Sequence, residues 1–318
     1  MSKRLVVYLP GAAEGFLSAL QADLLENIEL IHEPDRDYEI LVRGVVSDED
    51  LGASKALRAV IIPYAGVPKR TRELLAGHPS ISLHNLHHNA APTAEMAIAL
   101  LLAAAKRIVP IDRALRNHDW RPRYETDQRY SLLAGSRAVI LGFGAIGRRV
   151  DTLCRGLLME VDAIRRDPSK EERVHAVDSL GALLPEARAL IVCLPLTGET
   201  EGIIGAEELA LLPDGAIVVN VGRGPLINEE ALYGELRDGR LNAGLDVWYR
   251  YPEDENSRGD TAPSRFPFHE LDNVVMSPHR AGHCAETETL RARELALALN
   301  SAALGEEIPS RVDPERGY

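Results

Sequence analysis

Three short segments carry side chains suited to anion binding and proton transfer, and each follows an apolar run. Arg223 stands between Gly222 and Gly224, directly after Val219-Asn220-Val221. Its planar guanidinium suits a carboxylate held through two parallel hydrogen bonds. Asp246 ends the run Gly244-Leu245 and precedes Val247-Trp248. His279 lies in Ser277-Pro278-His279-Arg280-Ala281-Gly282, after Val274-Val275-Met276. An imidazole there can hand over a proton near neutral pH. A fourth segment, Gly142-Phe143-Gly144-Ala145-Ile146-Gly147, follows Ala138–Leu141 and precedes a helical pattern from Arg148 to about Leu158. Strand, glycine turn and helix N-terminus is the order that a dinucleotide pyrophosphate requires. Gly142 permits the turn, Gly144 lets backbone approach the phosphates, Gly147 lets helix pack on strand, and the helix N-terminus faces the anion.

The elements that must position these residues alternate along the chain. Strands are expected at Arg4–Leu9, Tyr38–Arg43, Ala59–Ile62, Ile81–Leu83, Val161–Arg165, Leu190–Leu194, Ala216–Val221, Ala243–Val247 and Val274–Met276. Ala13–Glu26 reads as a helix, and Thr93–His118 as one long helix rich in Ala and Leu. Strands alternating with helices imply parallel sheets covered on both faces, and two such sheets are expected. Tyr249–Pro267 is the one long irregular stretch, of a length that is usually functional or mobile. The glycine turn sits near the middle of the chain, with enough sequence before it for most of another domain.

Composition narrows the classes. A chain of 318 residues has room for two domains, each with its own core. The formal charge of −12 argues against nucleic acid and anionic membrane as partners, so an anionic ligand must be held by local arginines. Lys3 and Arg4 precede only a brief apolar stretch ended by Pro10, so no signal peptide is expected, and Leu100–Ala105 is too short to span a bilayer. Cys154, Cys193 and Cys284 are few and widely spaced, which points to a reduced, cytoplasmic protein.

Taken in order, these segments make the sequence similar to the D-isomer-specific 2-hydroxyacid dehydrogenases over nearly its whole length. Tyr64-Ala65-Gly66-Val67 resembles the family's substrate-carboxylate loop, and Asn89 through Glu95 its "N…AE" segment. Cys193-Leu194-Pro195-Leu196-Thr197 is similar to the loop near the nicotinamide, and Glu229–Leu241 to the family's "EEAL…L..G.L" helix. The resemblance implies an α/β fold of two doubly wound parallel-sheet domains. A Rossmann dinucleotide-binding domain, residues 106–284, would be inserted in a split flavodoxin-like substrate domain, residues 1–105 plus 285–318. Hinges would lie around Lys106–Pro110 and Gly282–Ala285, and closure would exclude water. A homodimer through the nucleotide domain is implied as well.

The activity implied is hydride transfer between a nicotinamide and C2 of a small 2-oxo acid such as glyoxylate or hydroxypyruvate. Arg223, with backbone N–H groups of Ala65, Gly66 and Val67, would hold the carboxylate, and Arg223 would polarise the 2-oxo oxygen. His279 would protonate that oxygen, Asn89 would line the substrate pocket, and Asp246 would receive the nicotinamide carboxamide. Leu194, Pro195, Thr200, Val221 and Gly282 would line the cofactor with the glycine turn.

Two positions depart from the family pattern. The family places a glutamate five residues after the Asp246 position, where its charge supports a protonated histidine; here that residue is Tyr251. A nearby opposite charge shifts a pKa by about 1–3 units, so His279 is expected to hold its proton less tightly. Glu253 or Glu255 would relocate the acid. Alternatively, Asp246-Val247-Trp248 with a non-acidic residue at 251 resembles formate dehydrogenase, whose reaction takes no proton from the substrate. A third reading is a slow or inactive nucleotide-sensing protein on the same fold. The second departure concerns the cofactor. The residue 18 past Gly147, where an NAD-type site carries an acid on the ribose hydroxyls, is Arg165, followed by Arg166. Two guanidiniums favour the 2′-phosphate of NADP(H), with Lys170 assisting. Asp167, in the turn with Pro168, is the residue that would instead admit NAD(H).

Other candidates have plainer readings. His84, His87 and His88 lack a nearby carboxylate or cysteine set and are expected to be structural or site-lining, so no metal is expected. His283 reads as hinge or support to His279. Trp120 and Trp248 read as packing residues, and Arg121, Arg123 and Arg129 as a solvated face or dimer contact.

Overall fold

A computed structural model describes residues 4–125, 130–168 and 172–317. Arg129 and Lys170 therefore lie outside the described residues. The chain divides into two compact units, residues 1–89 with 283–318 and residues 90–282.

The split unit opens with β1 (Leu5–Tyr8), α1 (Glu14–Gln21), β2 (Ile28–Ile31), β3 (Ile40–Val42), α2 (Asp48–Gly52), β4 (Ala59–Ile62), α3 (Lys69–Ala76) and β5 (Ser82–Asn85). Ala59-Val60-Ile61-Ile62 is buried at every position, as a central parallel strand covered on both faces must be. A capping box starts α2: the Ser47 side chain accepts from the Asp50 N–H, and the Asp50 carboxylate accepts from the Ser47 N–H. The continuous unit supplies α4 (Ala90–Ala105), α5 (Ile108–Arg116), β6 (Arg137–Leu141), α6 (Ala145–Gly156), β7 (Glu160–Ile164), β8 (Val174–His175), α7 (Leu180–Leu183), β9 (Ala187–Val192), α8 (Ala206–Leu211), β10 (Ile217–Asn220), α9 (Glu229–Arg237), β11 (Asn242–Leu245) and β12 (Val274–Met276). The chain then returns to the first unit with α10 (Thr287–Leu304) and β13 (Arg311–Val312).

The first sheet runs β13-β5-β4-β3-β1-β2. Leaving β13 aside, this is the 2-1-3-4-5 order of flavodoxin-like folds. The expectation of a wholly parallel sheet fails at one edge, because β13 pairs antiparallel with β5. On one face, Ala292, Leu295, Ala296 and Leu299 of α10 join Phe16 and Leu20 of α1 in one buried cluster. The second sheet runs β12-β11-β10-β9-β6-β7-β8, with every pairing parallel. Numbered within its unit, this is 3-2-1-4-5-6 with one more strand, the doubly wound Rossmann order. The chain reverses direction across the sheet between β6 and β9, so a crevice opens at their carboxyl ends.

Several sequence expectations are corrected. The long helix expected over 93–118 is two helices, broken where Arg107 takes a left-handed φ of 54°. Pro110 is the reason: inside a continuous helix it would lack an N–H for the Lys106 carbonyl and would clash with it, whereas the first turn of a new helix accepts it. The first helix ends at Gln21 rather than Glu26. Strands β2, β8 and β13 carry no strand signal in the sequence that was recognised, being short and partly exposed. The domain boundaries move from 105 to 89 and from 284 to 282. Helix α4 belongs with the continuous unit because Ala94, Ala97, Leu101 and Ala104 share a buried cluster with β6 and β9. Its close seat on β11 needs Gly244, where a Cβ would meet the Leu100 Cβ at 2.8 Å.

Candidate active site

In the continuous unit, β10, β11 and β12 lie side by side, and the loops at their carboxyl ends carry Arg223, Asp246 and His279. Arg223 is extended, at φ −148° and ψ 147°. Asn220, buried at the end of β10, fixes its loop: its Oδ1 accepts the Gly222 N–H at 3.0 Å and its Nδ2 donates to the Arg223 carbonyl at 2.9 Å. The two flanking glycines answer to packing. A Cβ at Gly222 would stand 2.6 Å from the Leu194 carbonyl, and one at Gly224 would stand 2.2 Å from the Trp248 carbonyl. The Arg223 loop is thus pressed between the loops after β9 and β11. The guanidinium Nη1 donates to the Gly222 carbonyl at 2.6 Å.

Asp246 is 1% exposed, and its carboxylate ties two loops together. Oδ1 accepts from the Ser277 hydroxyl at 2.5 Å and from the Arg280 N–H at 3.0 Å. Oδ2 accepts from the Ala281 N–H at 3.0 Å. A carboxylate has about four acceptor directions, so one on Oδ2 remains for a further donor. The Asp246 carbonyl accepts the His279 N–H at 2.7 Å, while His279 itself takes a left-handed φ of 54°. That conformation is uncommon for a residue with a Cβ and is held here by the bonds on either side.

Tyr251 fills the place beside His279. Its ring centroid lies 5.4 Å from the imidazole's, at an interplanar angle of 61°, an edge contact. Its hydroxyl accepts the Trp248 N–H at 3.1 Å. Desolvation first, and the Asp246 charge with it, push the phenol above its ordinary range against the opposing pull of the Trp248 N–H and Arg223. Tyr251 is therefore neutral at physiological pH and supports the imidazole by packing rather than by charge. Glu253 is exposed, and Glu255 pairs with Arg258 at 2.9 Å. Trp248 is buried, donates from Nε1 to the Ser277 carbonyl at 2.8 Å and packs edge-on against Phe268. Trp120, expected to pack, is 61% exposed.

The glycine turn joins β6 to α6. Gly142 has φ +105°, and a Cβ there would lie 2.9 Å from the Cys193 carbonyl carbon. A Cβ on Gly147 would lie 2.0 Å from the Gly142 oxygen, whereas one on Gly144 meets nothing within 4 Å. Gly144 thus borders open space at the start of α6, and among the described residues no side chain caps that helix. Uncapped N–H groups beside an approachable backbone fit a pyrophosphate. Phe143 is buried beneath the Arg148 guanidinium, 4.6 Å from its ring centroid. Val221 is buried, and its N–H donates to the Val192 carbonyl at 3.1 Å. The loop after β9 is a closed turn, in which Thr200 Oγ1 donates to the Pro195 carbonyl at 2.7 Å and accepts the Thr197 N–H at 2.8 Å. Arg165 and Arg166 follow β7 directly, and Arg166 pairs with Glu199 of that turn.

In the split unit, Ala65, Gly66 and Val67 follow β4, and Asn85 Nδ2 donates to the Ala65 carbonyl at 2.6 Å. Asn89 lies in the loop after β5, where the His87 N–H donates to Glu294 Oε1 at 2.7 Å. Three buried atoms there have no hydrogen-bond partner among the described residues: His88 Nδ1, Asn89 Oδ1 and Arg291 Nε. Burial, together with the Arg291 charge, holds the His88 imidazole down to about 4. His84 is engaged on both ring nitrogens, by the Pro309 carbonyl and the Ser82 hydroxyl. Asn220, Glu199 and Arg291 were missed in the sequence. Only Asn220 left a trace, as a polar residue ending an otherwise apolar strand.

Among the described residues no helix is long and apolar enough to cross a membrane. The family model for the D-isomer specific 2-hydroxyacid dehydrogenase, NAD binding domain, matches residues 98–281. A glyoxylate reductase of Korarchaeum cryptofilum is 34% identical over 228 residues, which are 70% of this chain and 66% of that protein. Glyoxylate/hydroxypyruvate reductase B of Pectobacterium carotovorum is 31% identical over 277 residues, covering 86% of this chain and 84% of the relative. The chain spans about half the length of the D-3-phosphoglycerate dehydrogenases it also matches. Among solved structures, a D-isomer specific 2-hydroxyacid dehydrogenase from Xanthobacter autotrophicus, in complex with NADPH and MES, superposes with a TM-score of 0.78 at 26% identity, over 99% of this chain and 100% of that one. With the doubly wound sheet, its glycine turn and the three loops beside it, these matches place the chain in the D-isomer-specific 2-hydroxyacid dehydrogenase family.

Proposed function

We propose that the chain reduces a small 2-oxo acid, of the size of glyoxylate or hydroxypyruvate, with NADP(H) preferred and NAD(H) as the second cofactor. A homodimer through the continuous unit is part of the same reading. The observation that carries it is the buried Asp246 carboxylate, which ties the His279 loop to the loop after β11, the loop against which Gly224 of the Arg223 loop packs. Arg223 and His279 thus follow β10 and β12, on either side of the strand that Asp246 follows, where a guanidinium would bind a carboxylate and an imidazole would donate a proton.

The bound nicotinamide would supply the hydride. Arg223 would bind the substrate carboxylate and draw negative charge onto the 2-oxo oxygen. His279 would give that oxygen its proton, and Tyr251 would keep the imidazole in place. The free acceptor direction on Asp246 Oδ2 would orient the cofactor's carboxamide. Gly142, Gly144 and Gly147 with the first turn of α6 would hold the pyrophosphate, and Arg165 and Arg166 the 2′-phosphate. Leu194, Pro195, Thr200, Val221 and Gly282 would line the cofactor. Ala65, Gly66, Val67 and Asn89 would contribute to substrate recognition.

The test is loss of reduced nicotinamide with NADPH and NADH, against glyoxylate, hydroxypyruvate, pyruvate and phenylpyruvate. NADPH-dependent turnover with a short 2-oxo acid is the expected result. Binding of NADPH without turnover of any acid would overturn the reductase reading.

A further inference from the structure

The ion pair between Arg166 and Glu199 joins two loops that are not neighbours in the sheet. Arg166 follows β7, Glu199 follows β9, and β6 lies between those strands. Adjacent strands are about 4.8 Å apart, so the two loop origins are separated by roughly 10 Å. The pair therefore reaches across the carboxyl end of β6, where the glycine turn of Gly142–Gly147 begins. Glu199 is set for this by its turn: Thr200 Oγ1 holds the Pro195 carbonyl and the Thr197 N–H, which fixes the loop on both sides of the glutamate. The Glu199 side chain is 73% exposed and that of Arg166 is 35% exposed.

We propose that Glu199 is a specificity-determining residue, the resident counter-ion of the 2′-phosphate reader, which restrains the preference for NADP(H) and leaves room for NAD(H). The inference rests on the reading of Arg165 and Arg166 given above. A 2′-phosphate carries a charge of about −1.5 to −2 at neutral pH and must displace the Glu199 carboxylate from Arg166 while standing near it. A ribose with a free 2′-hydroxyl leaves the ion pair intact and meets an acceptor in Glu199. An acid thus stands near the ribose although the strand end itself carries arginines.

The test is a titration of the reduced nicotinamide's fluorescence with NADPH and NADH, on wild type, Glu199→Gln, Glu199→Lys and the double variant Arg165→Gln/Arg166→Gln. An exposed ion pair contributes at most about 1 kcal/mol, which at tenfold per 1.4 kcal/mol is about fivefold. Glu199→Gln is expected to tighten NADPH by about that factor, with less than about twofold change for NADH, and Glu199→Lys to tighten NADPH further. The gap is expected to close as salt rises, because the contact is exposed. Equal shifts for both cofactors, or no tightening of NADPH in either Glu199 variant, would overturn the inference while leaving the cofactor reading intact. An arginine double variant that binds NADPH as wild type does would overturn both.

Discussion

At position 251 a phenol, and not a carboxylate, packs against His279. The phenol is neutral and its hydroxyl is committed to the Trp248 N–H, so it offers the imidazole an edge and no charge. If His279 is the proton donor proposed above, reduction would need its protonated imidazole and would fail as pH rises through its pKa. A carboxylate at this place raises that pKa, so Tyr251→Glu is expected to move the alkaline limb of the kcat profile for reduction upward by about 1 unit or more. Tyr251→Phe keeps the ring contact and is expected to leave the limb where it is. His279→Gln is expected to lower kcat by about 10²–10⁴ under the same assay. His88 has a pH dependence of its own. Its folded-state value of about 4 lies below the ordinary 6.5, so the unfolded chain binds the proton more readily. Its contribution to stability is complete above pH 6.5 and is lost as pH falls toward 4. Thermal melts between these limits are expected to lose less stability in His88→Gln than in wild type. At this scale the strand-end positions of Arg223, Asp246 and His279 were legible, because each is a polar residue placed shortly after an apolar run. The three-bond seat of Asp246 and the contact of Tyr251 with His279 were not, since both join residues about thirty apart in sequence.

At the scale of elements the glycines divide into two kinds, and substitution separates them. Gly147 is pressed against the Gly142 oxygen, so Gly147→Ala forces α6 off β6 and is expected to cost about 1–3 kcal/mol, seen as a lowered Tm. Gly144 borders open space, so Gly144→Ala is expected to leave the Tm unchanged and to weaken NADPH binding, because the new methyl stands where backbone must approach phosphate. Equal effects of both on Tm would refute this division. Asp246→Asn turns an acceptor toward the Ala281 N–H into a donor or breaks the Ser277 and Arg280 bonds, and is expected to cost about 1–3 kcal/mol. The elements themselves were largely readable. Long apolar runs such as Val139–Leu141 and Leu190–Val192 are buried on both faces and announce a parallel strand. What escaped was short and edge-lying: β8 and β13 have two residues each and gain their partners from distant sequence. The break between α4 and α5 was legible in principle, since Pro110 marks it, but the Ala- and Leu-rich composition on its N-terminal side outweighed that single residue.

At the scale of the whole molecule the two units differ in how much chain each needs to be complete. The continuous unit holds two buried clusters drawn wholly from residues between Ala94 and Val275, and α4 belongs to it through Gly244 and Leu100. The split unit cannot be completed from residues 1–89, because Ala292, Leu295, Ala296 and Leu299 of the returning α10 fill the core around Phe16 and Leu20. The fragment 90–282 is therefore expected to fold alone, to unfold in a single cooperative transition and to bind NADPH without turning over any 2-oxo acid. A fragment starting at Lys106, the boundary that the sequence suggested, loses the helix that covers β10 and β11 and is expected to be insoluble or to lack a cooperative melt. Residues 1–89 alone are expected to expose the apolar face that α10 covers and to regain a cooperative transition when 283–318 is joined to them through a linker. Circular dichroism melts of these four polypeptides decide this. A fragment 106–282 as stable as 90–282 would show that α4 adds nothing to the nucleotide unit.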